Sequence, residues 1–161
     1  MAMELRRLRA EEAGAVGALT VAAYEPFLLG PDDDYRERLA DVERRDLEAE
    51  VWVAIDGDDI LGNVTLCPPG SVWCELATHG EGEFRMLAVS PTAQGRGVGR
   101  ALAEMVVDRF RRDGAQSVVL SSLDQMTTAH RLYDRLSFVR APHRDWSPHP
   151  GVALIAFVRQ L

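Results

Sequence analysis

The sequence contains no lysine; all 18 of its basic residues are arginine. That absence excludes the phosphate loop of nucleotide hydrolases, G-x-x-x-x-G-K-S/T, whose lysine reaches the phosphates. The formal net charge is −7 and no basic run is present, so nucleic acid is a poor partner for this chain. No apolar run approaches the roughly 18 residues needed to cross a bilayer, and no membrane association is expected. The first residues, MAMELRRLRAEEAG, lack the apolar core of a secretory signal, which makes the cytoplasm the expected location. Cysteine is scarce too. Cys67 and Cys74 flank a Pro-Pro-Gly turn, and two free thiols in a reducing compartment are favoured over a disulfide. Neither CxxC nor HxxxH spacing occurs, so no metal site is expected.

What is present describes an ordinary globular chain. At 161 residues, 47% hydrophobic and 27% charged, it has the material for one domain spanning residues 1–161. Residues 5–9 read as a first strand. A helix follows from Glu11, with Val16, Thr20 and Tyr24 at helical spacing and Pro26 at its end. The aspartates at 32–34 suit the start of a second helix, which carries Tyr35, Leu39 and Val42. Strands at 51–55 and 60–67 flank the hairpin turn Asp56-Gly57-Asp58-Asp59. A turn-rich loop at 68–82 precedes the strand 84–89, and a loop of that length is often functional. After it come a helix with Val98, Leu102 and Val106 on one face, a strand at 117–122, a helix at 127–136, and strands near 138–140 and 152–158. Alternation of strands and helices in the second half, with hairpins in the first, predicts a mixed α/β sheet with helices on both faces.

The stretch 83–100, EFRMLAVSPTAQGRGVGR, organises the rest. A strand runs into a proline-marked loop and then into glycines that open a helix. N–H groups at a helix start have no intrahelical acceptor and lie at the positive end of the helix dipole. An anion docked there gains several hydrogen bonds at once. Gly95, Gly97 and Gly99 clear side chains from the backbone, and Arg96 and Arg100 add charge at the rim. The dinucleotide fingerprint does not fit, because the glycines come late in the chain and are spaced G-x-G-x-G.

The run RMLAVSPTAQGRGVGRAL resembles the acetyl-CoA-binding signature of the GCN5-related N-acetyltransferases (GNAT), Q/R-x-x-G-x-G/A, with Gln94, Gly97 and Gly99 in the fixed positions. The segment AHRLYDRLSF, residues 129–138, resembles the same family's A-x-x-L-Y-x-x-x-G-F motif. Ser137 stands where the family has glycine, and Met126 where many members have asparagine. The resemblance covers nearly the whole chain, most strongly residues 83–140. It implies a mostly antiparallel sheet with a splayed central parallel pair.

The resemblance also implies a reaction: acetyl transfer from acetyl-CoA to a primary amine of a small molecule or peptide. A non-catalytic acyl-CoA sensor is the alternative. Leu87, Ala88 and Val89 would line the pantetheine arm, the first and last through backbone groups. Gln94, Gly95, Arg96, Gly97, Val98, Gly99 and Arg100 would hold the pyrophosphate. The N–H of Leu87 would hydrogen-bond the thioester carbonyl. An alkyl ammonium titrates near about 10.4, so a base is required at neutral pH. Glu83 is the first candidate, with Glu81 and His79 behind it. Tyr133 would hydrogen-bond the departing thiolate. The loops carrying Asp34 and Tyr35, and later Trp146, would face the amine. Dimerisation is carried by family analogy alone.

Overall fold

The computed structural model describes residues 2–161. Strands β1 (Glu4–Arg7), β2 (Glu50–Asp56), β3 (Asp59–Cys67) and β4 (Glu81–Val89) form an antiparallel set. Strands β5 (Ser117–Leu123), β6 (Val139–Arg140) and β7 (Leu154–Gln160) form a second one. The two join through the parallel pair β4 and β5, giving a single sheet of order β1-β2-β3-β4-β5-β7-β6.

Helices cover both faces. α1 (Ala13–Tyr24), α2 (Tyr35–Ala40) and α3 (Val42–Glu48) pack on one side, where Val16, Tyr24, Leu39 and Val42 are buried. α4 (Val98–Arg112) and α5 (Thr127–Arg135) pack on the other. The apolar stripe of α4, Val98, Leu102, Val106 and Phe110, is almost wholly buried against β3, β4 and β5. Burying such side chains contributes about 1.5–3 kcal/mol each. Contrary to the sequence expectation, Tyr35, Leu39 and Val42 do not share one helix. The backbone breaks at Asp41 (φ −82°, ψ 64°), whose side chain accepts the N–H of Arg44 and starts α3. The final strand also begins later than expected, at Leu154, because Trp146 and Leu154 first form an isolated bridge.

Two irregularities of the sheet open a gap at its centre. The β4–β5 pairing covers only residues 81–83 against 117–119, and beyond it the strands splay. The β3–β4 register slips one residue, with Val64 facing both Met86 and Leu87. That is a β-bulge, and Met86 takes a left-handed backbone with φ of 54°. The conformation costs a non-glycine residue on the order of 1–3 kcal/mol, and it sits at the mouth of the splay.

Candidate active site

The splay opens into a cavity of about 600 Å³. Its walls come from both sides of the gap: Phe84 to Leu87 of β4, Leu120 to Leu123 of β5, and Tyr133 of α5. The α1–α2 loop closes it from one side with Asp32, Asp33, Asp34 and Tyr35, and the late loop from another with Pro148, His149 and Val152. Glu75, Arg85 and Arg38 supply further charge.

Beyond the gap the chain passes into the glycine cradle. Gly95 and Gly97 have φ of 78° and 77°, and a Cβ on either would meet open space. Their identity is therefore set by backbone conformation rather than crowding. Gly97 is the N-cap of α4 and no side chain caps that end, which leaves the first N–H groups for a ligand. Gly99 differs: its φ is not in the left-handed region, and a Cβ there would touch Leu132 and Val89 at ordinary distances. Gln94 donates to the Val89 carbonyl at 3.3 Å, clipping the loop to the strand end. Arg96 pairs with Asp56 of the β2–β3 turn at 3.1 Å, and Arg100 with Glu104 at 2.9 Å. Ala88 and Val98 are buried, which leaves only their backbone to a ligand. An unpaired strand edge followed by an uncapped helix start fits an extended arm ending in a pyrophosphate.

Tyr133 is 5% exposed and packs among Phe84, Phe138 and Phe157. Its hydroxyl has no hydrogen-bond partner among the described residues, and burial pushes the phenol well above its ordinary range. The group therefore stays protonated, as a donor must. Its placement depends on the end of α5. The N–H of Phe138 donates to the Tyr133 carbonyl at 3.0 Å and that of Ser137 to Asp134 at 3.1 Å. This is a Schellman cap, with Ser137 in the left-handed position at φ 67°.

Glu83 is not on the cavity wall. It is 0% exposed, and its carboxylate accepts four short contacts from three backbone N–H groups, those of Glu75, Leu76 and Ala77. The geometry makes it the anchor of the β3–β4 loop. The two reserve candidates are also elsewhere. Glu81 and His79 border a separate cavity of about 400 Å³. Glu81 is held at a pKa of about 2, chiefly by the guanidinium of Arg144 and also by Thr78 and Ser117. The glutamate that does line the main cavity is Glu75, which sequence reasoning missed. It is ion-paired with Arg85 at 3.2 Å, and burial raises its carboxyl above the ordinary value. The available signal was Arg85, a charge inside a strand whose following residues are apolar and which therefore needs a carboxylate partner.

On the side of the α1–α2 loop, Asp34 and Tyr35 line the cavity. Asp33 accepts the N–H groups of Leu29 and Tyr35 at 2.8 and 3.0 Å, which holds its pKa down. Trp146 does not reach the cavity. Its indole N–H donates to Ser121 at 3.1 Å and its backbone bridges Leu154, so it stands behind the wall that Ser121 forms. Arg144 and Asp145 are likewise held in ion pairs with Glu81 and Arg140. Cys67 and Cys74 are free thiols. Among the described residues no group of side chains could hold a metal ion, and no helix is long and apolar enough to cross a membrane.

A splayed sheet, a bulge beside the gap and a glycine-opened helix define an acyltransferase architecture, and comparison with known proteins agrees. The chain belongs to the acetyltransferase (GNAT) family, whose model matches residues 15–138. It is 37% identical over 102 residues to a mycothiol acetyltransferase of Geodermatophilus obscurus, a match covering 58% of this chain and 32% of that protein. The chain thus spans about a third of the length of that relative. Among solved structures, a GNAT-family acetyltransferase from Desulfovibrio desulfuricans superposes with a TM-score of 0.77 at 21% identity, over 99% of both chains. An acetyltransferase of Salmonella typhimurium, solved with its cofactor acetyl-CoA, gives 0.68 at 22% identity, covering 100% of this chain and 95% of that one.

Proposed function

We propose that this chain transfers the acetyl group of acetyl-CoA to a primary amine of a small molecule or peptide. The observation that carries this reading is the cavity itself: it joins the unpaired edge of β4 to a protonated, unpartnered Tyr133 and to an acidic loop. Acetyl-CoA supplies the activated acyl group. The backbone of Leu87 and Val89 holds its arm, and the N–H groups from Gly95 to Arg100, with the two arginines, hold its phosphates.

The amine enters from the α1–α2 loop, where carboxylates favour a cation. It must lose a proton before it can attack. We assign that role to Glu75, which faces the cavity and whose raised pKa brings it closer to the working pH, with Glu83 holding the loop that carries it. The nitrogen then bonds the acyl carbon as the C–S bond breaks. The N–H of Leu87 stabilises charge on the carbonyl oxygen, and the sulfur receives a hydrogen bond and finally a proton from the Tyr133 side. The net products are an N-acetyl amide, coenzyme A as the thiol, and one proton.

The test is thiol release from acetyl-CoA across a panel of amines, including the acceptor of a mycothiol acetyltransferase. Tyr133→Phe should lower kcat by about 10²-fold and leave the KM for acetyl-CoA within a factor of two. Tight binding of acetyl-CoA with no thiol release on any amine would reject the reading in favour of a sensor.

A further inference from the structure

Around Trp73 the fold collects more positive charge than it neutralises. The guanidinium carbons of Arg38, Arg85 and Arg45 lie 5.1, 5.6 and 5.9 Å from the ring centre. Arg85 has the Glu75 carboxylate. Arg45 is fully buried yet bonds only neutral acceptors, the Thr65 hydroxyl and the carbonyls of Arg38 and Leu39. Its Nη2 has no partner. Burial lowers the Arg45 pKa to about 10, and the like charge of Arg85 acts in the same direction. Arg38 forms no direct ion pair among the described residues, although its charge reaches the Glu75 carboxylate. The neighbouring Glu83 carboxylate, held by backbone N–H groups, also acts on Arg85, which leaves three guanidinium groups against the two carboxylates of Glu75 and Glu83.

For the buried Arg45, lack of an anion is unfavourable, and stacking on an indole offsets only part of that; Arg38 is the exposed member of the set. Stacking also fixes the fork of Arg38 in one place, which lowers the ordering cost for an anion that docks on it. Arg38 and Arg85 both line the main cavity. A planar pair of oxygens is the shape a guanidinium fork matches best. The same cavity presents Asp32 and Asp34 for an ammonium, and Phe27, Leu29 and Val152 for an apolar body.

We propose that the acceptor is an amino-acid-like zwitterion whose carboxylate docks on Arg38, backed by Arg85 and Arg45 around Trp73. The inference builds on the amine-acetylation reading by naming the class of amine. The carboxylate on the exposed Arg38 fixes the α-amine beside the gap, and the side chain lies against the apolar lining residues.

Calorimetric titration of the protein saturated with coenzyme A tests this directly. Leucine, methionine and phenylalanine are each compared with the matching amide and decarboxylated amine, which keep the side chain and nitrogen but lack the carboxylate. At least one free acid should bind ten-fold or more tightly than its amide. Arg38→Gln should bring acid and amide within two-fold, while Arg38→Lys keeps part of the preference. Equal binding of acid and amide in all three series, no binding in any, or a preference that survives Arg38→Gln would overturn the proposal. Thiol release measured in parallel reports separately on the underlying reading: acid-selective binding without turnover keeps the carboxylate subsite and rejects amine acetylation.

Discussion

Both carboxylate oxygens of Glu83 accept the backbone N–H of Glu75, at 3.0 and 3.1 Å. One of them also accepts from Leu76 and Ala77 at 2.9 Å. Glutamine has a single acceptor oxygen, and its amide would turn two donors toward N–H groups. Glu83→Gln should therefore destabilise the fold by about 2–3 kcal/mol, the range for losing buried, charge-assisted hydrogen bonds. Denaturant unfolding at neutral pH measures it. A change below about 0.5 kcal/mol would show that the loop does not depend on this carboxylate.

The same relationship separates the two glutamates kinetically. A general base works when deprotonated, so activity rises with pH through its pKa. Burial raises that of Glu75 above the ordinary 4.5, which places the acid limb of the rate profile above the usual glutamate range. Glu75→Gln should erase that limb and lower kcat by about 10²–10³-fold. Glu83→Gln should keep a limb, displaced because the loop is looser. The reverse pattern would return the base role to Glu83.

Ser137 occupies the left-handed position of the cap that ends α5, with φ of 67°. The conformation costs a side-chain-bearing residue roughly 1–2 kcal/mol, and glycine returns some of that through its freer unfolded chain. Ser137→Gly should gain about 0.5–1 kcal/mol, a rise of about 2 °C in Tm. An unchanged or lower Tm would mean that the serine side chain compensates in a way its exposed position does not suggest.

Glu81 couples stability to acid. Its pKa of about 2 in the fold lies below the ordinary 4.5, mainly through Arg144. The stabilisation is complete above the ordinary value and is lost as pH falls from there toward 2. After allowance for solvent screening, the loss is about 1–2 kcal/mol. Glu81→Gln should be less stable at pH 7 by that amount and should lose less between pH 4.5 and 2. Arg144 also donates to the Leu76 carbonyl at 2.7 Å, so acid should loosen the loop that carries Glu75 before the core. Hydrogen exchange at residues 75–80 would show whether it does.

The sequence revealed those features that a residue type encodes locally. Gly95 and Gly97 announce left-handed backbone, and the Val98, Leu102, Val106 stripe announces the buried face of α4. Ser137 adopts the same backbone without glycine and was visible only against the family motif. The bulge at Met86 leaves no mark in EFRMLAV, because an extra residue in an apolar strand looks like more strand. Asp41 hid the break between α2 and α3, since Leu39 and Val42 remain at helical spacing across it. The contacts of Glu83 were hidden for another reason. Its partners are main-chain N–H groups of a distant loop, and no side-chain pattern can announce them. Trp146 was placed in the right loop, but a hydrogen bond to Ser121 turns it away from the cavity.

Among the described residues, three pairs, 81–83 against 117–119, tie strands β1–β4 to strands β5–β7 within the sheet. The molecule is in effect two leaves joined at a short spine. Anything extended that lies between them supplies the missing rungs and turns two leaves into one continuous surface. The weakest line of the architecture and its place of chemistry are thus the same seam, so occupancy of the seam should register as rigidity of the whole.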